Sequence, residues 1–277
     1  MSKLKNLISF LGMILVFSSC EKMVTNIDPP KAEKELVMFS FLSPEDTVVK
    51  VELSYSSPVF GTNSFNEIEY IKNAFVTVQS SIGEIDTLKF NSNFNSYFGN
   101  SNFKLTPGLE YTVKAEYQGK SATGKTIIPL ETVKIDTIET LKSIGPQGEG
   151  LIKIKTTWQD PGSNGLYYRA YSEQLYSSGG NPEFAYGICS EFISNAGKLN
   201  KKLVSTCETN YYDGGSNSTS FNIVLLTTDI HYYEYHRRRV NYFGDDPFSE
   251  PIPQYLNVKG GIGVIASYRK VITKITP

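Results

Sequence analysis

The chain has 277 residues, with 27 Lys and Arg against 28 Asp and Glu and a formal net charge of −1. That length supports one large core or two medium domains, and the charge balance argues against strong electrostatic attraction to nucleic acid or to an acidic membrane surface. Tyr (18) and Phe (16) are abundant. With Val, Ile and Thr they suit a pleated, half-buried surface, so the expected class is mainly all-β.

The first segment does not belong to the fold. Lys3 and Lys5 precede an apolar run from Leu7 to Phe17, broken only by Ser9 and Gly12, and then come Ser18, Ser19 and Cys20. The run is too short to cross a ~30 Å hydrocarbon core as a helix. Residues 1–19 read as a secretory signal peptide. Small residues followed by Cys resemble a bacterial lipobox, in which the Cys becomes the mature N-terminus and carries acyl chains. Phe17 stands where a Leu is usual. Cys20 is therefore the expected lipidation site. Residues 20–34 are polar, include Pro29 and Pro30, and read as a tether. Removing 1–19 leaves 25 basic and 28 acidic residues, a net charge of −3. Acyl chains rather than charge would then hold the protein on its membrane.

Residues 35–129 read as many short strands. Leu36–Leu42 is apolar, Val51 and Leu53 alternate with Lys50 and Glu52, and Phe75, Val76 and Val78 form a third run. Ile85 and Leu88 mark a fourth. Tyr111, Val113, Ala115 and Tyr117 alternate strictly with polar residues. Pro107-Gly108 signals a turn, and Gln118-Gly119-Lys120 a hairpin into Ser121–Ile128. The spacing suggests an immunoglobulin-like β-sandwich. Pro129 is the expected boundary.

Residues 130–277 then read as a second β-rich domain. Val133–Leu141 and Leu151–Trp158 suggest a long hairpin around Gly145–Gly148, and Leu166–Leu175 an aromatic strand. Residues 177–220 look loop-rich, with Gly179, Gly180, Gly214 and Gly215. Phe221–Leu226 reads as a strand. One helix is expected near 229–243, capped by Thr227 or Thr228. Its apolar face would be Ile230, Tyr233, Val240 and Phe243. Two final strands are expected around Leu256–Val258 and Val264–Ile272. No internal repeat is present.

Candidate chemistry is sparse. With Cys20 acylated, Cys189 and Cys207 remain. An exported chain meets oxidising conditions, so a Cys189–Cys207 disulfide is expected, stabilising by about 3 kcal/mol. Gly119–Thr126 fits G-x-x-x-x-G-K-T. A phosphate loop must lead into a helix, and here Ile127, Ile128 and Pro129 continue as strand, so no nucleotide is expected. His231 and His236 are five apart and do not share a helix face, so no metal site is expected and both read as solvent-facing. Arg237-Arg238-Arg239 reads as a solvated helix end favoured by the dipole. No positioned Ser or Cys nucleophile and no carboxylate pair stands out. Tyr167, Tyr168, Tyr171 and Tyr176 fit sheet packing better than a ligand groove. No cofactor and no enzymatic activity are expected.

Several segments in order resemble a Bacteroidota lipoprotein family known as a domain of unknown function. They are Cys20-Glu21-Lys22, Asn73–Val78, Pro107–Tyr111, Asp160–Tyr168, Asp246–Pro251 and, most specifically, Asn257–Gly263. Members usually carry an aromatic two places after that glycine turn, where this chain has Ile265. The resemblance implies a two-part β-rich protein lipid-anchored at the outer membrane, on either face, of a kind typically encoded beside TonB-dependent receptors. It supplies no catalytic residues. The expected function is a non-enzymatic accessory or ligand-capture partner of a TonB-dependent transporter. The alternative is a free-standing surface module that binds glycan or peptide. Asp46-Thr47-Val48, Asp86-Thr87-Leu88 and Asp136-Thr137-Ile138 also resemble the O-glycosylation signal of that phylum.

Overall fold

Strict alternation builds the first strands, seen here in a computed structural model. It describes residues 33–57, 68–178, 181–210, 220–240 and 254–276. Cys20, the signal segment, most of the tether, Phe243, residues 246–251 and the four glycines named between 177 and 220 lie outside them. Strand β1 (Leu36–Leu42) buries Leu36, Met38 and Leu42 on one face and turns Phe39 and Phe41 to the other. Strand β2 (Lys50–Tyr55) buries Val51 and Leu53 and exposes Lys50 and Glu52. Then come β3 (Phe75–Ser80), β4 (Ile85–Asn91), β5 (Ser96–Phe98), β6 (Glu110–Tyr117) and β7 (Lys120–Ile127).

These strands make two layers. β1, β2 and β5 pair in one, and β4, β3, β6 and β7 in the other. Strand β4 turns the corner: it pairs with β3 over Ile85–Leu88 and with β5 over Lys89–Asn91. Val51, Leu53, Val76, Val78, Tyr111, Val113 and Ala115 fill the space between. Tyr97 is buried there, and its hydroxyl donates to Ile71 O (2.9 Å) and accepts from Ala74 N–H (2.8 Å). A buried phenol without such partners would cost desolvation energy. Gln118 and Gly119 both have positive φ (49° and 77°), as a two-residue hairpin between β6 and β7 requires.

The remaining strands are β8 (Thr137–Ile144), β9 (Gly150–Gln159), β10 (Tyr167–Ser178), β11 (Asn181–Ser194), β12 (Lys202–Asn210), β13 (Ser220–Thr228) and β14 (Ile262–Ile275), with helix α1 (Ile230–Val240) between the last two. β12, β9 and β8 form a separate three-stranded sheet, while β11, β10, β13 and β14 pair in that order. Strand β13 is buried on both faces. Phe221 and Ile223 pack with Ile152 and Ile154 of β9, whereas Val224 and Leu226 pack with α1. That double burial explains its unbroken apolar run, which an alternating strand would lack.

Strand β14 joins both regions. Ile262–Ser267 runs parallel to β1, and Tyr268–Ile275 runs antiparallel to β13. The N-terminal sandwich thus takes a strand from the far end of the chain, and Ile265 completes its core. The described residues from 34 onward form one compact unit. Pro129 lies in the link between β7 and β8.

Three expectations need correction. The stretch 177–220, read as loop, contains β11 and β12. In β12 polar residues occupy both rows, with Ser205 and Thr209 buried and Thr206 and Glu208 exposed, so no hydropathy alternation marks the strand. The helix begins after Asp229, because Thr227 and Thr228 are still paired in β13. Its cap is Asp229, whose Oδ1 accepts the Tyr232 N–H (2.7 Å). Finally, Leu256–Val258 is not a strand. Only Lys259 bridges to Thr123.

Candidate functional site

Helix α1 carries the most concentrated set of side chains, and it presents a different face from the one its periodicity suggested. Tyr232 and Tyr235 are buried with His236 beside them, while Ile230 is 37% exposed. The sheet beneath is aromatic, so aromatic residues of the helix pack better against it than Ile230 would. Phe41 of β1 lies 5.7 Å from Tyr232, 5.8 Å from Tyr235 and 5.0 Å from His236, centroid to centroid. Tyr232 stands 4.3 Å from His236 and 5.4 Å from Tyr268 of β14. These separations suit tilted and edge-on aromatic pairs.

A cup of about 220 Å³ opens between helix and sheet, lined by Phe41, Tyr171, Tyr232, His236, Tyr268 and Lys270 over Leu226. Its polar groups are held firmly. Arg169 of β10 donates through one terminal nitrogen to Tyr232 Oη (2.8 Å) and through Nε to Ser190 Oγ (2.8 Å). The same guanidinium lies over the rings of Tyr171 (4.9 Å) and Phe192 (5.3 Å). Tyr268 donates to Asp46 Oδ2 (2.8 Å), and Lys270 Nζ meets Asp46 Oδ1 at 3.0 Å. Glu45 in the same loop holds Arg269 (2.6 Å). The β1–β2 connection is thereby fastened to β14.

The electrostatics leave the imidazole of the cup uncharged beside the Arg169 guanidinium. Burial, reinforced by the positive charges of Arg169 and Arg239, holds His236 down to about 3, so the ring is uncharged near pH 7. Its Nε2 is buried without a hydrogen-bond partner. Burial and then the Asp46 carboxylate push the Tyr268 hydroxyl up. Burial pushes Tyr232 up too, against the opposing effect of Arg169. The Asp46 charge is shared with Lys270. This arrangement can bind a ring by its faces and edges. A larger hollow of about 500 Å³ lies beside Glu35, Lys120, Ser121 and Gly260, but it has exposed side chains and glycine backbone instead of converging rings.

The other sequence-marked residues divide clearly. Cys189 of β11 and Cys207 of β12 are joined by a disulfide with Cα atoms 5.3 Å apart. It ties the long sheet to the three-stranded one. Gly119–Thr126 is a hairpin turn and a strand, and its residues serve packing. A Cβ on Gly124 would lie 2.3 Å from Ile265 Cγ1, and Thr126 Oγ1 contacts both Asp229 and Ser267. Contrary to expectation, neither His is exposed; both are half-buried. His231 Nδ1 lies 2.6 Å from Tyr255 Oη, and its pKa is lowered by burial. Arg237 and Arg238 pair with Glu234 at 3.1 Å, and Arg239 donates to Tyr235 Oη (2.8 Å).

Tyr168 is buried on Trp158 (5.6 Å) and donates to Asp160 Oδ2 (2.8 Å). Burial alone would raise Asp160. Hydrogen bonds from Tyr168, Asn195, Gly162 and Asn200 outweigh it and lower its pKa. Thr47, Thr87 and Thr137 are all exposed. Among the described residues, no group of three His, Cys, Asp or Glu could hold a metal ion. No helix among them is long and apolar enough to cross a membrane.

Sequence reasoning passed over Phe41, Asp46, Arg169, Tyr268 and Lys270. One signal was available for Arg169: it is a lone cation inside the aromatic strand Tyr167-Tyr168-Arg169-Ala170-Tyr171. Phe41, Tyr268 and Lys270 sit in unremarkable strands, Asp46 sits in the β1–β2 connection, and they meet only through β14.

Residues 23–273 match a family described as "Domain of unknown function (DUF4249)". No curated protein matches the chain. Among solved structures, a DUF4785 family protein from Legionella pneumophila is similar at 11% identity and a TM-score of 0.25, over 68% of this chain and 50% of that one. This chain thus spans about half the length of the Legionella protein. A structure described as "Cytokine receptor complex - Crystal form 1A" is similar at 10% identity and a TM-score of 0.23, over 86% of this chain and 95% of that one. At these scores neither likeness bears on this chain's fold or function.

Proposed function

The chain belongs to the DUF4249 family, and on that premise we propose that it is a non-enzymatic, lipid-anchored outer-membrane protein of Bacteroidota type, working as an accessory or ligand-capture partner of a TonB-dependent transporter. One observation carries the reading. A positive start, a short apolar run, two serines and Cys20 precede a polar, proline-containing tether and then an all-β unit. The family match begins at residue 23, just past that segment. In this reading Cys20 carries the acyl chains, and the β-sheet surface docks on the transporter.

Mild-detergent extraction of the full lipoprotein from native outer membranes, with mass spectrometry of what accompanies it, tests the reading. A stoichiometric TonB-dependent barrel is the expected companion. A lipoprotein that emerges alone would leave the free-standing binding module as the better account. That second reading draws on the aromatic cup, which stands complete within this chain.

A further inference from the structure

We infer that strand β8 is an interaction edge for a second copy of this chain, pairing antiparallel with the same strand of that copy about a two-fold axis at Leu141. The inference rests on neither the anchor nor the transporter partnership.

Strand β8 is paired on one side only. It ends the three-stranded sheet, with β9 as its single neighbour among the described residues. Every residue from Glu139 to Ile144 is exposed. Leu141 is 65% exposed and Ile144 80%. Odd-numbered and even-numbered positions are open alike, so both faces of the strand leave room for an adjoining one. An edge of this kind is a template for pairing. The other edges differ. Strand β7 is already bridged at Thr123 by Lys259, and β12 is tied to β11 by the disulfide.

The ladder fixes which backbone groups face outward. Gly145 N–H donates to Glu149 O (2.7 Å), one step beyond the pair Ile144–Gly150. Hydrogen-bonded and non-hydrogen-bonded pairs alternate along an antiparallel ladder. Ser143, Leu141 and Glu139 therefore turn their N–H and C=O toward β9. Ile138, Thr140, Lys142 and Ile144 turn theirs away, and a neighbouring strand would meet those four.

The register selects the partner. About an axis at Leu141, Thr140 stands opposite Lys142 of the second copy, and Ile138 opposite Ile144 of the second copy. Both are hydrogen-bonded pairs, and together they use all four outward residues of each copy. The two Leu141 side chains meet at the axis in the closer, non-hydrogen-bonded kind of pair. Every apolar side chain of β8 then faces an apolar one. Glu139, which also holds Lys155 of β9, faces Ser143, and no like charges are opposed. Moving the axis to Thr140 or Lys142 would set Leu141 against Glu139 or Ser143. An unrelated extended peptide would gain the backbone bonds without this match of side chains.

Cysteine cross-linking on the full chain in detergent tests the pairing. Leu141→Cys should give a covalent dimer on mild oxidation, because the Cα atoms of a non-hydrogen-bonded pair lie about 4.5 Å apart, within reach of a disulfide. Glu139→Cys and Ser143→Cys should each give at least tenfold less, since each is offset from its own counterpart by about 13 Å along the strand. Peptide mapping identifies the bond between the two introduced cysteines. Thr140→Pro, added to Leu141→Cys, removes an N–H that faces the second copy and none that β9 uses. It should suppress the cross-link at least tenfold while thermal melting shows a folded chain. If that variant does not fold, Leu141→Lys decides the matter by sedimentation equilibrium. It opposes two positive charges at the axis and should weaken the dimer at least tenfold. No covalent dimer from Leu141→Cys, equal yields at the three positions, or a dimer undiminished by these substitutions would each overturn the inference. The transporter partnership would stand or fall separately, on the native-membrane extraction.

Discussion

Thr126 Oγ1 and Asp229 Oδ2 are hydrogen-bonded across a sequence separation of 103 residues, fastening the cap of α1 to β7. The same Thr126 oxygen lies 2.7 Å from Ser267 Oγ, and Ser267 donates to Ile127 O at 2.8 Å. Thr126 donates to the Asp229 carboxylate. Burial, the largest influence on Asp229, pushes it up to about 7 despite the hydrogen bonds it accepts from Thr126 and from backbone N–H groups.

The first prediction follows from setting Asp229 against His236. Asp229 titrates at about 7 when folded and at 3.8 ordinarily. The native state therefore holds the extra proton, and stability falls as pH rises from about 4 to about 7. At 1.36 kcal/mol per unit the loss is up to about 4 kcal/mol. His236 titrates at about 3 when folded and at 6.5 ordinarily. Here the unfolded state binds the proton first, and stability falls as pH drops from about 6.5 to about 3. The two slopes oppose each other over the same window. Urea unfolding at pH 4, 5.5 and 7 should show Asp229→Asn losing stability relative to wild type as pH falls. His236→Phe should gain, and the double variant should return to the wild-type slope. A constant difference between Asp229→Asn and wild type across the three pH values would mean that burial does not raise Asp229.

A second prediction concerns the glycine turn. A Cβ on Gly263, at φ +134°, would lie 1.9 Å from Met38 O, and one on Gly260 would lie 2.2 Å from Ser121 O. Backbone approach, not mobility, requires these glycines. Asn257 reinforces the crossing: its side chain bonds the Ile265 N–H (2.8 Å), Ile265 O (2.7 Å) and Lys125 O (3.1 Å). Gly124→Ala should cost about 1–3 kcal/mol, as overpacking does. The loss should be smaller in an Ile265→Ala background, which removes the Cγ1 that the new methyl meets first. Strictly additive effects in this double-mutant cycle would show that the two side chains do not compete for space.

What the sequence disclosed and what it hid follow the same division between local and distant contacts. Strands with a clean period of two, such as Tyr111–Tyr117, and the turn at Gln118-Gly119 are legible because neighbouring residues determine them. The phosphate-loop look-alike is also legible as strand, from Ile127-Ile128-Pro129. Helix α1 is harder. Its buried face, Tyr232, Tyr235 and His236, was not chosen by hydropathy, because those residues match an aromatic sheet assembled from β1, β10 and β14. The cup needs Asp46 to meet Lys270, 224 residues later. No window of sequence contains that pair. Strands β11 and β12 were hidden by their polar residues, which are ordinary on strands with one solvated face.

A third prediction concerns the surface threonines. Thr47, Thr87 and Thr137 are exposed, and each follows an Asp within the three-residue signal. Periodate-based glycan staining of the native protein should be positive, and it should be abolished when all three are changed to Ala. A blank stain on the native protein would dispose of the modification.

The disulfide supplies the last prediction. Cys189 and Cys207 close a loop of sequence separation 18, worth about 3 kcal/mol on the chain-entropy estimate. The bond joins strands of different sheets, and among the described residues β9 is the only strand paired with β12, so its loss should loosen the three-stranded sheet first. The next residue, Ser190, holds Arg169 Nε, and Arg169 in turn orients Tyr232. Cys189→Ser and Cys207→Ser should each therefore lower stability by about 3 kcal/mol in urea. Amide exchange should quicken in β12 and at the Arg169 end of the cup, and the sandwich core around Tyr97 should be spared. The purified native chain should show no free thiol at either position. Two reactive thiols there, or exchange that rises first around Tyr97, would mean that the bond does not hold these sheets together in solution.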